Sequence, residues 1–385
     1  MDLFRQRKWD VPPGMIGAGI AESDFGTAPA ITHALHDAID ASFLTYLPEG
    51  LAREAELACS EFLGHRFSWS VERERVHLVP DVMAGFALVI EHFTPPEAKV
   101  IVPTPCYMPF LTESRKLGRE VVQVPMLRSA EGRWELDLLG LEQAFRDGGG
   151  LLVLCNPHNP LGQVMTRAEQ QGVAALVTKY DGRVFEDAIH APVVYPGTTY
   201  LPYATLSADA ARHTITATAT SKGWNIPGLK AAQLILTSDE DQEAWHRRDP
   251  VPSLRGSILG AVAAIAAYRD GVDWLDGLMA SLAENRDFVS RSIAEEIPGA
   301  DFRLPEATYL AWIGLGGSGI QEPASYLRDH ADLWLTAGAE CGRGFESYIR
   351  FNFALQPTVL QDAVGRLSAA VRRRADARSS DMAGL

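Results

Sequence analysis

The chain has 385 residues, 46% hydrophobic and 22% charged, ordinary values for a globular protein long enough for two lobes. Its formal charge of −14 disfavours a nucleic-acid partner, because a phosphate backbone needs a basic face. Four scattered cysteines with no CxxC or Cys/His spacing argue against zinc and against a disulfide framework, so no metal is expected and the thiols read as free and buried in a reducing cytoplasm.

The first residues, Met1 to Trp9, include basic side chains with no apolar core after them, unlike a secretory leader. No apolar run reaches membrane-spanning length; the nearest, Ile258 to Tyr268, reads as a buried helix. From Lys99 onward, strand-like and helix-like segments alternate. Lys99–Val102 is a predicted strand and Tyr107–Lys116 a helix. Arg119–Val124 is a strand, then Asp137–Arg146 a helix. Leu151–Cys155 is a buried strand, followed by a helix at Arg167–Tyr180. Arg183–Phe185, Thr214–Ala219 and Ala231–Thr237 complete the strand set. Alternation with nearly all-apolar strands predicts an α/β fold, a mostly parallel sheet covered by helices on both faces.

The last third changes character. A long helical region is predicted over Ile258–Glu295, a strand over Thr308–Ile313, a helix near Ala324–His330 and a strand over Tyr348–Phe353. A final helix covers Thr358–Arg374, with Arg372, Arg373 and Arg374 entering solvent at its end. These segments predict a smaller α+β lobe, joined by the N-terminal segment. The mostly polar tail from Ala375 to Leu385 is expected to be disordered.

Four local patterns fall at strand ends or in the loops after them, where open α/β sheets bind ligands. In Cys155–Gly162 each of two prolines excludes helical geometry at the asparagine before it and leaves an amide projecting. Alone, this pattern is equally a plain loop. In Phe185–His190, Asp187 closes a short apolar strand, where a carboxylate is costly without a cation. A helix cap is the plainer reading of that pattern alone. In Ala219–Lys230, Lys222 precedes a Gly/Pro turn, a place where a lysine could hold an aldehyde cofactor as a Schiff base and then shuttle a proton. Arg350 lies inside the apolar strand Tyr348–Phe353, and its guanidinium asks for a carboxylate held bidentately, from a substrate or a structural ion pair.

Taken in order, Asn159, Asp187, Lys222 and Arg350 resemble the fold-type I, pyridoxal-phosphate-dependent aminotransferase family over nearly the whole chain. Lys8-Trp9, Ala21–Phe25, Pro105–Phe110, the Asn-Pro-His-Asn-Pro-Leu-Gly stretch, His190 and Pro305–Trp312 resemble more narrowly its cystathionine β-lyase or C–S lyase branch, the MalY/PatB-type group. The resemblance implies a large cofactor domain at 46–270, with a mostly parallel seven-stranded sheet between helices. The segments 1–45 and 271–385 would form a smaller α+β domain. It also implies pyridoxal 5′-phosphate as cofactor and a homodimer with shared active sites.

On these terms Lys222 binds the cofactor aldehyde and moves the α-proton, Asp187 pairs with the pyridinium nitrogen, and Tyr107 stacks on the ring. Asn159 and His190 sit at the phenolate oxygen. Val82, Met83, Thr220, Ser221 and Lys230 surround the phosphate, and Tyr46 reaches the phosphate of the neighbouring subunit. Arg350 takes the substrate α-carboxylate, with Asn159, Asp24 and Trp224 also at the substrate. Departures from the family pattern are Ala219 in place of a hydroxyl, Lys230 in place of arginine, Asp81 near the phosphate, and Glu186-Asp187-Ala188. The implied reaction cleaves an S-substituted cysteine to a thiol, pyruvate and ammonia. Amino-group transfer, or diversion of a cysteine conjugate to decarboxylation or oxidative deamination, would use the same residues.

Overall fold

The computed structural model describes residues 5–247 and 256–383. Its main sheet has seven strands: β1 (Val76–Val79), β2 (Lys99–Thr104), β3 (Val121–Pro125), β4 (Gly149–Cys155), β5 (Arg183–Asp187), β6 (Thr214–Thr218) and β7 (Ala232–Leu236). Their order is β1-β7-β6-β5-β4-β2-β3, and only β7 runs antiparallel to its neighbours. The apolar runs follow from burial on both faces. Val100, Val102, Leu151, Val153 and Phe185 pack toward the helices Val82–His92 and Pro109–Lys116. Ile101, Leu152, Leu154 and Val184 pack toward Leu138–Arg146 and Arg167–Lys179 on the other side.

A second, antiparallel sheet has the order β8-β9-β11-β10, with β8 at Asp301–Phe302, β9 at Leu310–Gly314, β10 at Thr336–Ala337 and β11 at Tyr348–Asn352. The N-terminal segment is tied to it. Ile16–Gly17 pairs with Leu333–Trp334, and the Asn352 amide donates to the Ala18 carbonyl at 2.8 Å. Helices Pro29–Asp40 and Glu49–Phe67, which sequence reading had not placed, pack on Ile258–Asp270 through small and aromatic side chains such as Ala58, Phe62, Ala261 and Ala264.

Several expectations change. The helix expected from Tyr107 starts at Pro109, leaving Tyr107 in the loop that faces the cleft; proline suits a first helical position. The helical region from Ile258 consists of two helices, Ile258–Asp270 and Val272–Glu296, parted at Gly271. A Cβ at Gly271 would lie 2.6 Å from the Trp224 indole nitrogen. The tail expected to be disordered continues the last helix, Pro357–Ala383; residues 384–385 lie outside the described residues, as do residues 1–4. All four cysteines are buried and free. Among the described residues no helix is long and apolar enough to cross a membrane.

Candidate active site

The carboxyl ends of β1, β4, β5 and β6 open toward β11 and residues 19–22 around one cleft of about 810 Å³. Strand β5 ends in Asp187, β4 runs into the loop holding Asn159, and β6 runs into the loop holding Lys222. Across the cleft, Arg350 projects from β11. Thus Lys222, Asp187, Asn159, His190, Arg350, Tyr107, Val82, Met83, Ser221 and Lys230 all line the same space.

Each group has defined partners. Lys222 Nζ donates to the Ala21 carbonyl at 2.9 Å. Burial, aided by the charge of Arg350, lowers its pKa to about 8. Burial raises the Asp187 carboxyl to about 6, against the Ile189 amide at 3.1 Å, the Cys155 thiol at 3.8 Å and the field of Lys222. Asp187 has no ion pair within 4.0 Å among the described residues, and at this burial its charged form is costly.

Arg350 is 4% exposed. Its Nη1 donates to Asn159 Oδ1 at 3.0 Å, and its Nη2 donates to the Gly19 carbonyl at 2.8 Å and Thr336 Oγ1 at 3.1 Å. The Arg350 Nε and the His190 Nδ1 are buried without a partner among the described residues. Burial, with Lys222 and Arg350 nearby, holds the His190 pKa well below its ordinary value, so this imidazole is neutral. Tyr107 meets Phe110 edge to face, with ring centres 5.6 Å apart, and is half-buried at the cleft wall.

At the other end, Asp81 caps the helix Val82–His92 through the Ala84 amide at 2.7 Å and receives Lys230 Nζ at 2.7 Å. Burial pushes the Asp81 carboxyl up, but Lys230 and the helix amides outweigh it and hold the pKa below the ordinary value. The cation offsets the like-charge repulsion that Asp81 would otherwise present to a phosphate at this helix end.

Three expected residues sit elsewhere. Asp24 is not on the cleft: its carboxylate is taken by Lys8 Nζ at 2.8 Å and by the Trp9 indole at 2.9 Å. Trp224 is fully buried in the apolar core, where it donates to the Gly271 carbonyl at 2.8 Å and packs on Phe62 and Tyr268; a bulky indole with a satisfied N–H gains more there than at a wet pocket. Thr220 is buried just behind the lining. Tyr46, expected to act in the neighbouring subunit, is 97% exposed and off this chain's own cleft.

What sequence reading missed is the wall made by residues 19–22, with Trp334, Leu335 and Thr336 beside it. The Ala21–Phe25 motif did signal this wall, but the structure uses its backbone carbonyls rather than the Asp24 side chain.

The model of the family described as aminotransferase class I and II matches residues 13–367. The chain belongs to that family. Within this family of aminotransferase-like chains, it is 37% identical to a cystathionine beta-lyase of Corynebacterium glutamicum over 366 residues, covering 94% of this chain and 96% of that one. It is 30% identical to the cystathionine beta-lyase PatB of Bacillus subtilis, covering 94% and 96%. A solved structure from Corynebacterium diphtheriae, described as a candidate PLP-dependent beta-cystathionase, is 37% identical with a TM-score of 0.89, covering 95% and 96%. As an aminotransferase-family chain it has the fold-type I architecture, and its kinship points to the cystathionine β-lyase branch.

Proposed function

We propose that this chain is a pyridoxal 5′-phosphate-dependent C–S β-lyase that cleaves an S-substituted cysteine to a thiol, pyruvate and ammonia. It works as a cytoplasmic homodimer, with a large domain at 46–270 and a small domain from 1–45 and 271–385. The observation that carries the reading is a single cleft holding an amine that is half neutral near pH 8, a buried acid without a cation, and a buried guanidinium. Kinship with cystathionine β-lyases over 94% of the chain supports C–S cleavage among the reactions such a cleft could run.

The residues present fit this cofactor. Asp187 is the one-sided acid that a protonated ring nitrogen would satisfy, and the orphaned His190 Nδ1 lies on the same lining. Tyr107, Asn159 and His190 would hold the ring. Val82, Met83, Ser221 and Lys230, with Thr220 behind them, would hold the phosphate, and Tyr46 would reach it from the second copy. Bound there, the cofactor supplies an electron sink for the pair left at the substrate α-carbon.

The chain's own groups do the rest. Arg350 holds the substrate carboxylate, with Asn159 keeping the guanidinium plane in place at 3.0 Å. Lys222 Nζ accepts the α-proton, which requires its neutral form, and burial makes that form available near pH 8. Loss of the thiolate from the β-carbon leaves a three-carbon enamine. Water converts it to pyruvate and ammonia, and the thiolate takes a proton. Incubating the cofactor-loaded protein with S-substituted cysteines and no ketoacid is expected to yield thiol, pyruvate and ammonia in equal amounts. Conversion that needs a ketoacid and leaves sulfur attached would assign amino-group transfer instead.

A further inference from the structure

Residues 19–24 belong to no helix or strand, yet every one of their carbonyls accepts a side-chain donor. Gly19 takes Arg350 at 2.8 Å and Thr336 at 3.0 Å. Ile20 takes Asn352 at 2.6 Å. Ala21 takes Lys222 at 2.9 Å and Tyr309 at 3.2 Å. Glu22 takes Lys8 at 3.0 Å and Asn352 at 2.7 Å. Ser23 takes Asn225 at 2.8 Å and Gln6 at 3.2 Å, and Asp24 takes Gln356 at 2.8 Å. Buried backbone acceptors must find donors, and here a ladder of side chains replaces a neighbouring strand. Two cations of the cleft, Lys222 and Arg350, are rungs of that ladder.

Asn225 stands out among these donors. It lies three residues after Lys222 and makes two bonds to one residue of the segment. Its Nδ2 donates to the Ser23 carbonyl at 2.8 Å, and its Oδ1 accepts the Ser23 amide at 2.9 Å. It does not line the cleft. The loop bearing it is tied down further by Thr27 Oγ1, which donates to the Trp224 carbonyl at 2.7 Å.

We propose that Asn225 is a positioning residue: its side-chain amide registers the Lys222 loop against residues 19–24, so that Lys222 Nζ rests on the Ala21 carbonyl within the cleft. Paired amide bonds of this kind fix both translation and rotation, and misplacing a reacting group by about 1 Å can cost roughly 100-fold in rate. The plainer role for Asn225 is conformational, since its φ of 56° is one that asparagine tolerates better than most residues. Glycine tolerates it too, so Asn225→Gly keeps the turn and removes only the clamp.

The functional half of this inference rests on Lys222 being the cofactor lysine, and the experiment separates the two. Hydrogen exchange on the cofactor-free protein reads the clamp directly. In Asn225→Gly the Ser23 amide and the 19–24 segment are expected to exchange roughly tenfold faster or more, while β4 and β5 stay protected. With cofactor bound, kcat is expected to fall about tenfold or more with KM nearly unchanged and the visible absorbance retained. Wild-type exchange in residues 19–24 would overturn the clamp, and faster exchange with wild-type kcat would overturn positioning. If Asn225→Gly does not fold, Asn225→Asp, which keeps the Ser23 acceptor and loses the donor, is expected to show the same fall in kcat; wild-type kcat there would overturn the proposal. Borohydride reduction and peptide mapping of the wild type with pyridoxal 5′-phosphate tests Lys222 separately. A different modified lysine would sink the lysine assignment and with it the positioning role, while the exchange measurement would still decide the clamp.

Discussion

At the scale of single residues, the site is a balance between burial and charge. Lys222 is useful because burial and Arg350 bring its amine to about 8, within reach of neutrality. Lys222→Ala is expected to abolish the visible absorbance of the lysine-bound cofactor and to lower turnover by roughly 100- to 10,000-fold; a yellow, active variant would contradict the assignment. Arg350→Lys keeps the charge but loses the planar fork now spread over Asn159, Gly19 and Thr336. Its KM for a cysteine conjugate is expected to rise about 10- to 100-fold in steady-state kinetics, the worth of one or two charge-assisted bonds. Asn159, Asp187, Lys222 and Arg350 were each equivocal alone, as polar residues at an apolar strand or its exit, and were put together by their joint resemblance to the family; the structure brings all four to one cleft. Asp24 and Trp224 were misjudged because sequence order does not say which way a side chain turns. One is captured by Lys8 and Trp9, the other by the core around Phe62.

At the scale of elements, β5 carries two neighbouring acids to opposite faces of the sheet, as strand alternation requires. Asp187 faces the cleft, while Glu186 is buried on the other side, accepting from Tyr200 at 2.9 Å, the Tyr203 amide at 3.2 Å and Thr216 at 2.9 Å. Burial raises Glu186 to about 7 against those donors. The folded protein therefore keeps this proton at pH values where the unfolded chain has lost it. That contribution is fullest below about 4.5 and is lost as pH rises through about 7. Glu186→Gln, which mimics the protonated acid, is expected to match wild type near pH 4 and to exceed it at pH 8.5 by about 1–3 kcal/mol in denaturant melts. A variant less stable than wild type at both pH values would contradict this.

The helix Ile258–Asp270 offers a packing test. A Cβ at Gly260 would collide with the Leu229 carbonyl, next to Lys230, so Gly260→Ala is expected to cost about 1–3 kcal/mol by thermal or denaturant unfolding. The parallel strands were readable as continuous apolar runs. The strand β1 and the helices Pro29–Asp40 and Glu49–Phe67 were not, because their partners lie far along the chain, at β7 and at Ile258–Asp270. The split at Gly271 was hidden for the same reason: the Trp224 indole that crowds it is 47 residues away in sequence.

At the scale of the whole molecule, two sheets and an N-terminal segment converge on one cleft, with side-chain donors holding residues 19–24 between them. In the proposed dimer, the exposed Tyr46 would complete the phosphate site of the second copy. Sedimentation is expected to show a dimer, and Tyr46→Phe to release the cofactor several-fold faster with the dimer intact, the loss of about one hydrogen bond. The central claim is that the electron pair freed when Lys222 takes the α-proton ends in a Cα–Cβ double bond, while the Cβ–S bond breaks and its pair leaves with sulfur. Mass spectrometry of the products from a β-carbon-labelled S-substituted cysteine, run without ketoacid, reads that fate directly. The label is expected in free pyruvate, matched by an equal amount of thiol. Label retained in a carbon skeleton that still bears sulfur, formed only when a ketoacid is supplied, would contradict the account.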